Sequence, residues 1–586
     1  MFAPTPHLRS LLVSEPQKTS RSPWWPPLAA ALAHAALMLV AGPPLNLWPL
    51  ALIAPTPLFW YLRRGTDRPK RDALLLMLGV SPMWLVWEWW MIDVTAPGFP
   101  FFILLQCSWT ALFFLVVRRL HAHIPRVPWL LLAPLVWVAV EFFRGEIFLS
   151  GYAAALMPYP LIHSTTLATP ASWLGVYFVS FLTLLFASAI FDVILGRGRE
   201  RVRAAVALAL LIVTWAAAGV QVHRTPLSDQ AVTPGIVQTN LPQSNKLAWT
   251  EEAEIRDWER FSNLTVSMAT SEPRPDFILW PETMMPGWTL EMVTLPNGEK
   301  RPMDAFYDAL MDIQHHMGIP MIVGEDALVN LTIDRTDPEK PRLKRDARHN
   351  SAYLVVNGQV QPERYDKVRL TPFGETMPFI SRWPWLEKQM LSFGVGAQGM
   401  KFDLAPGTSH TVIPVPLASG STVRVVAPIC FESTVNGFCR ELVFENGQRR
   451  ADLIANLTND GWFGNSDIAR AQHLDISRWR CVELATPMAR AANTGISALI
   501  DAQGRILSRG VEGSQQESRI DGILRGSVPL GTGTTLFARL GNVFPWSVLG
   551  LTTAALLVTF VRKWGRQATP ADSRAKRVRL GARGRS

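Results

Sequence analysis

Seven long apolar runs follow one another between residues 24 and 221, and an eighth occupies 543–561. A soluble core does not accommodate such a series in so short a stretch of chain, so these runs restrict the fold more than any other feature. They lie at about 24–41, 46–62, 73–91, 99–117, 127–143, 172–195, 202–221 and 543–561. Each is close to the ~20 residues that an α-helix needs to cross a hydrocarbon layer of about 30 Å. Composition agrees: 48% of the 586 residues are hydrophobic and only 18% are charged, and the mean hydropathy is +0.14. Those values lie outside the range of an ordinary soluble enzyme. Between about 230 and 525 the runs give way to the mixed composition of a globular domain, long enough to bury its own core. The expected organisation is a cytoplasmic segment 1–23, a membrane bundle of about seven spans at 24–221, a soluble domain at 230–525, a final transmembrane span at 543–561 and a basic tail at 562–586.

The net charge is +10, a balance that nucleic-acid binding also produces, but its placement points elsewhere. Arg63, Arg64, Arg68, Lys70 and Arg71 share one short connection, Arg118 and Arg119 another, and Arg197, Arg199, Arg201 and Arg203 a third. The tail adds Arg574, Lys576, Arg577, Arg579, Arg583 and Arg585. With the first residues inside, every connection assigned to the cytoplasm is basic and the outer ones are not, as the positive-inside rule requires. The seventh span then delivers the soluble domain to the outside, and the eighth returns the tail to the cytoplasm; no nucleic-acid partner is expected. No small-residue cleavage site follows an early apolar run, so no removable signal peptide is expected. Trp24, Trp25, Trp60, Trp87, Trp89, Trp90 and Trp546 lie at or near run ends, where an interfacial aromatic belt places them. Charges inside the runs are few: Glu88 in WEWW, and Glu141 with Arg144, which read as an interfacial structural pair. The outer connection 144–171, rich in Gly, Pro, Tyr and Ala, suits a loop dipping toward the membrane surface beside the soluble domain.

In the soluble domain, strands are expected at 233–238, 277–280, 321–324, 352–356, 423–429, 453–456 and 497–501, the last leading into a turn at 501–504. Helices are expected at about 250–270, 303–316 and 468–487. Strands separated by helices, with others paired through turns, predict an α/β sandwich of layered sheets. The segment 326–349, rich in Lys, Arg and Asp, reads as a variable exposed loop. The four cysteines, Cys107, Cys430, Cys439 and Cys481, have neither metal-ligand spacing nor the density of a disulfide framework, so no metal is expected. Their spacing leaves a Cys430–Cys439 bridge open, but the surroundings of Cys430 favour a free thiol.

Three segments share one design, an apolar strand giving way to a polar, reactive residue. They are FILWPE, ending at Glu282; VRVVAPIC, ending at Cys430; and ERYDKVRLTPFGE, containing Lys367 and Glu375. Strand ends hold side chains rigidly at a sheet edge, where reactive groups are commonly displayed. Taken singly, each has an ordinary explanation: a buried small hydrophobe for the cysteine, a turn or capping carboxylate for the glutamate, a solvated head for the lysine. Their conjunction is what points to chemistry.

In these segments the chain resembles the nitrilase superfamily, whose members use a Glu–Lys–Cys triad. Glu282 in WPETMMP, Lys367 in YDKVRLTPFGETMP and Cys430 in ICFES match in order. The wording is most similar to its membrane branch, the apolipoprotein N-acyltransferases, and IVQTNLPQSNK at 236–246 and NLTNDGWFG at 456–464 also look like segments of that family. The resemblance implies a multi-span bundle joined to an extracytoplasmic α-β-β-α nitrilase-like domain, in the inner membrane of a bacterium with that domain on the periplasmic side. It implies two steps without a cofactor: an acyl chain passes from a membrane glycerophospholipid to the cysteine, then to the α-amine of a lipoprotein's diacylglyceryl-cysteine. Free cysteine has a pKa near 8.5 and only its thiolate is a good nucleophile. Glu282 would therefore act as base for Cys430, and Lys367 with a backbone N–H at Cys430 or Phe431 would hold the oxyanion. Glu375 would orient the lysine; Glu432 is either a member of the site or a salt-bridged anchor for its loop. Since water competes with the amine, the site needs apolar cover, for which Trp249, Trp288, Phe373 and Trp462 are candidates, as loop residues among Phe379, Trp383, Trp385 and Phe393 are. One departure is GYAAALMPYPLIHS at 151–164, which lacks the Trp- and Gly-rich wording the family leads one to expect there.

Two other readings compete. A membrane-tethered amidase would use the same triad and pass the acyl group to water, but one anchor span would serve it. A transporter or non-catalytic scaffold would not need the triad, and the bundle shows no internal repeat of the transporter kind.

Overall fold

In the computed structural model, residues 23–224, 228–242, 250–283, 285, 290–295, 297–303, 305–334, 342–377, 380, 383–392 and 403–567 are described. Apolar helices form at Trp25–Ala41, Pro69–Trp87, Phe99–His123, Trp129–Phe142, Val176–Leu195, Arg199–Arg224 and Val543–Gln567. Four helical stretches among the described residues, Phe99–His123, Val176–Leu195, Arg199–His223 and Val543–Arg562, are long and apolar enough to cross a membrane, and Trp25–Ala41 is apolar but shorter. The run at 46–62 is not one helix. Trp48–Leu52 makes a 3₁₀ turn and Thr56–Arg63 a short helix, because Pro49, Pro55 and Pro57 withhold the N–H donors that a continuous helix needs.

Glu141 and Arg144 do not pair with each other. Glu141 accepts from the Met157 N–H at 2.7 Å and the Ser180 hydroxyl at 2.6 Å, while Arg144 donates to the Ala154 carbonyl at 2.8 Å. Both brace the connection at 152–157, whose backbone groups need partners in apolar surroundings more than the two charges need each other. Trp24, Trp25, Trp89 and Trp546 expose their rings, but Trp87 is buried, edge-on to Trp84, and belongs to the bundle core.

The soluble half is built on two six-stranded sheets. The first runs in the order Gln359–Asp366, Ala347–Val356, Met321–Val329, Phe277–Leu279, Pro234–Gln238, Gly522–Arg525; the second runs Ile413–Pro416, Thr422–Val426, Leu453–Thr458, Met488–Ala492, Ala498–Ile500, Ile506–Arg509. The central strands are parallel and buried on both faces, hence their near-continuous apolar wording. In the first sheet, Ile236, Phe277, Leu279 and Ile322 pack in the core shared with the second, while Val237, Ile278 and Val323 turn toward the helices Glu251–Ala269 and Phe306–Met317. The helix Asn436–Val443 and the helix Asp467–Leu484 cover the second sheet. The chain is thus a helical membrane bundle joined to an α-β-β-α sandwich. The described parts of 326–349 are no free loop: Met321–Val329 pairs with Ala347–Val356 from Met321↔Val355 to Val329↔Ala347, and Thr332–Asp334 pairs with Arg342–Lys344, while 335–341 lie outside the described residues. The apolar residues Ala327, Leu328 and Leu331 are buried and carry the hairpin outward despite the surrounding charge.

The helix Asp467–Leu484 is buried almost all round because it serves two cores. Leu474, Cys481 and Leu484 pack in the sandwich, whereas Ile476, Trp479 and Val482 pack in the bundle. Polar contacts finish the joint: Arg478 donates to the Ile162 carbonyl at 3.1 Å, and Glu483 accepts the Val176 N–H at 2.7 Å. The latter is one of the unpaired donors that begin the helix Val176–Leu195. The connection at 144–171 therefore lies between bundle and sandwich.

Candidate active site

Lys367 follows the strand Gln359–Asp366 and is buried with two carboxylates. Its Nζ lies 2.7 Å from Glu375 Oε2 and 3.4 Å from Glu282 Oε1. Burial alone would lower the lysine, but the charges of Glu375, Glu282 and Cys430 outweigh it and hold the ammonium above its ordinary range. Glu375 is opposed by burial and drawn the other way by Lys367, with the net result below its usual range. The turn at 371–376 aims it, for the Thr371 N–H donates to Glu375 Oε2 at 2.8 Å.

Glu282 follows the strand Phe277–Leu279 across Trp280 and Pro281. It accepts from Asn350 Nδ2 and from the Asn459 N–H, each at 2.7 Å. The neighbouring strand must come close to Pro281 at this point: a β-carbon at Gly324 would collide with the Pro281 carbonyl and meet Glu282 Cα at 2.9 Å, so only glycine fits.

Cys430 ends the segment after the strand Thr422–Val426 and opens a 3₁₀ turn, Cys430–Thr434, with φ +50°. A non-glycine residue in this left-handed region costs about 1–3 kcal/mol and persists where its surroundings over-determine it. Here the Asn456 side chain holds the Pro428 carbonyl at 2.9 Å, and Glu432 accepts the Ile429 N–H at 2.8 Å. The thiol is half-buried, within electrostatic reach of Glu282 and Lys367. Burial and then the Glu282 charge push it up to about 12, against the pull of Lys367. The bonds of the 3₁₀ turn begin with the Glu432 N–H donating to the Ile429 carbonyl at 3.1 Å, so the Phe431 N–H precedes them.

Glu432 has no cation within ion-pair distance among the described residues. It accepts the Val368 and Arg369 N–H groups, each at 2.8 Å, through one oxygen, and the Ile429 N–H and the Tyr365 hydroxyl at 2.7 Å through the other. The anchor expected as a salt bridge is a four-donor clamp between the Lys367 loop and the Cys430 turn. Burial raises its carboxyl to about 7, offset in part by the backbone donors.

Phe373 and Trp462 are half-buried in turns of the same loops, Phe373 two residues before Glu375 and Trp462 three after Asn459. Trp249 and Trp288 lie outside the described residues, as do Phe379 and Phe393; Trp383 and Trp385 are exposed. Sequence reasoning missed Asn350, which donates to both Glu282 and Glu375, the latter at 3.2 Å. It also missed the support under Asn459. Asp460 meets His473 at 2.9 Å and Arg490 at 3.0 Å; burial opposes its charge, but Arg490 and His473 hold it well below the carboxylate range. The lone amide Asn350 inside the strand RHNSAYLVV, and the acid Asp460 next to Asn459 in NDGWFG, were the available signals. No cluster of three metal-ligating side chains occurs among the described residues. A half-buried thiol gathered with a buried carboxylate and a buried ammonium suits acyl transfer by a covalent route.

Two family descriptions match the two halves: the apolipoprotein N-acyltransferase N-terminal domain over residues 34–189 and the carbon-nitrogen hydrolase over 235–526. Similar curated proteins include apolipoprotein N-acyltransferases of Geobacter metallireducens, 28% identical over 91% of this chain and 95% of that one, and of Bradyrhizobium diazoefficiens, 29% identical over 90% and 93%. That of Vibrio cholerae is 28% identical over 82% of this chain and 88% of its own. Among solved structures, an amidase from Nesterenkonia sp. aligns with 52% of this chain and 92% of its own, at 16% identity and a TM-score of 0.32. With one family description on its membrane half, the other on its sandwich, and relatives aligned along most of its length, the chain belongs to the apolipoprotein N-acyltransferase family.

Proposed function

We propose that this membrane acyltransferase moves an acyl chain from a glycerophospholipid through a Cys430 thioester to the α-amine of a lipoprotein's N-terminal diacylglyceryl-cysteine. The observation that supports this most is the buried Lys367, held between Glu282 and Glu375 beside the Cys430 thiol. In the first step Glu282 takes the thiol proton as the sulfur attacks the ester carbonyl. The C–O bond then breaks, and the lysophospholipid oxygen leaves with that proton. Lys367 and the Phe431 N–H face the developing oxyanion, where fixed donors contribute most. In the second step the amine attacks the thioester, the C–S bond breaks, and Glu282 relays the amine proton to the departing sulfur. Glu375 keeps the lysine oriented, and Glu432 keeps its loop against the cysteine turn. Phe373, Trp462, Trp249 and Trp288 are the proposed apolar cover, while donor and acceptor reach the site from the bilayer. In this reading the membrane is the bacterial inner membrane, the sandwich faces the periplasm and the basic connections lie in the cytoplasm.

The test is an assay of the purified protein in detergent with a phospholipid and a diacylglyceryl-cysteine peptide. N-acylated peptide and lysophospholipid are expected in equal amounts. Release of free fatty acid without peptide acylation would instead identify a hydrolase.

A further inference from the structure

The segment WEWWMID at 87–93 takes no part in the chemistry above, yet it holds a buried carboxylate inside a membrane bundle, which calls for a reason. Glu88 accepts from the Tyr152 hydroxyl at 2.6 Å and from the Trp90 side chain. The outer end of the helix Pro69–Trp87 is thereby fixed to the connection at 144–171. From this fixed point the segment reaches the sandwich. Trp90 meets Phe463 edge to face, with ring centroids 4.8 Å apart, and Phe463 meets His473 the same way at 5.6 Å. Next to them Asp93 lies so close to Gly464 that a β-carbon there would collide with its carboxylate.

Phe463 and Gly464 end a tight turn that begins at Asn459, and Asn459 supplies the N–H bound to Glu282. From below, the turn is pinned by Asp460 on His473 and Arg490. From its side, Asn493 Nδ2 donates to Asn459 Oδ1 at 3.0 Å. One short turn therefore holds the carboxylate base at one end and touches the membrane bundle at the other.

We infer that the bundle positions the catalytic base: Trp90, pressing on Phe463, fixes the 459–464 turn and through the Asn459 N–H sets where Glu282 points. This rests on Glu282 acting as the base for Cys430. The bundle is then part of the catalytic apparatus as well as an anchor. Trp90, Phe463 and His473 are positioning residues, because none is required to touch a substrate. Misplacing a catalytic group by about 1 Å costs up to 10² in rate, so loss of this contact lowers the rate of acylation and leaves donor binding alone.

The experiment uses the full chain in detergent and measures single-turnover acylation of Cys430 by a fluorescent phosphatidylethanolamine over a range of lipid concentrations. Trp90→Ala is expected to lower the saturating acylation rate about tenfold with the half-saturating lipid concentration unchanged, and Trp90→Phe, which keeps the ring contact, to restore most of it. Phe463→Leu, which stays apolar but loses both ring contacts, is expected to behave like Trp90→Ala and serves if that variant fails to fold. An unchanged rate in both, or a higher half-saturating concentration at an unchanged saturating rate, overturns the inference; the second result would make Trp90 a lipid-binding residue. If the wild-type protein forms no acyl-enzyme, the acyl-transfer reading falls and this inference with it, an outcome distinct from a variant matching an active parent.

Discussion

Cys430 keeps its proton across the neutral range, because burial and the Glu282 charge push its thiol up to about 12. A free thiol near 8.5 would react faster as pH rises through that value; one held this high shows no such rise, and its proton must leave to a base during attack. Acylation in the wild-type protein is therefore expected to stay flat between about pH 8 and 10. Glu282→Gln removes the base, a loss of about 10²–10⁴ in rate, and also a charge that disfavours the thiolate. Its residual rate is expected to climb with pH. Acylation rates against pH for both proteins check this, and a steep wild-type rise across pH 8–9 would contradict it. At this scale Glu282 and Cys430 were legible because each stands where an apolar strand gives way to polar wording, and Lys367 and Glu375 because the wording of YDKVRLTPFGE accompanies them. Asn350 was not, since inside a strand nothing in the sequence tells which face an amide takes or what it meets there. The acid Glu432 was visible as either a site member or a salt-bridged anchor, but its partner Tyr365 is remote in the chain, so the four hydrogen bonds were not legible.

The strand ends become a site only when held in register, and Glu432 is the tie between them. Its oxygens receive N–H groups from both the Lys367 loop and the Cys430 turn. A glutamine there offers one acceptor oxygen and turns an amide donor toward other donors. A buried donor left unpaired costs roughly 1–3 kcal/mol. Glu432→Gln is therefore expected to destabilise the sandwich by about that amount and to lower the acylation rate, read by thermal unfolding and by thioester formation. A variant with wild-type stability and rate would show that the clamp is dispensable. Among the elements, the long apolar helices were readable from run length, and the strands from their bounded apolar wording. The run at 46–62 misled because its prolines break the helix while the leucines, alanines and aromatics around them keep the run apolar. The hairpin at 326–349 was hidden by surface charge, which says where side chains point and little about backbone pairing.

The division into bundle and sandwich was legible from composition, since apolar runs end near 221 and resume at 543. The way the halves join was not. The helix Asp467–Leu484 was expected only as a helix at about 468–487, and its second face, Ile476, Trp479 and Val482, is packed in the bundle. Both faces are apolar enough to be buried, and the sequence does not say against what. The joint packs the sandwich that carries Cys430 directly against the bundle. The most direct test of this account is peptide mass spectrometry of the protein purified in the presence of phospholipid and absence of acceptor. An acyl adduct on Cys430, released by hydroxylamine and discharged by a diacylglyceryl-cysteine peptide, is the predicted result. Peptide acylation proceeding with Cys430 unmodified, or persisting in Cys430→Ala, would contradict it.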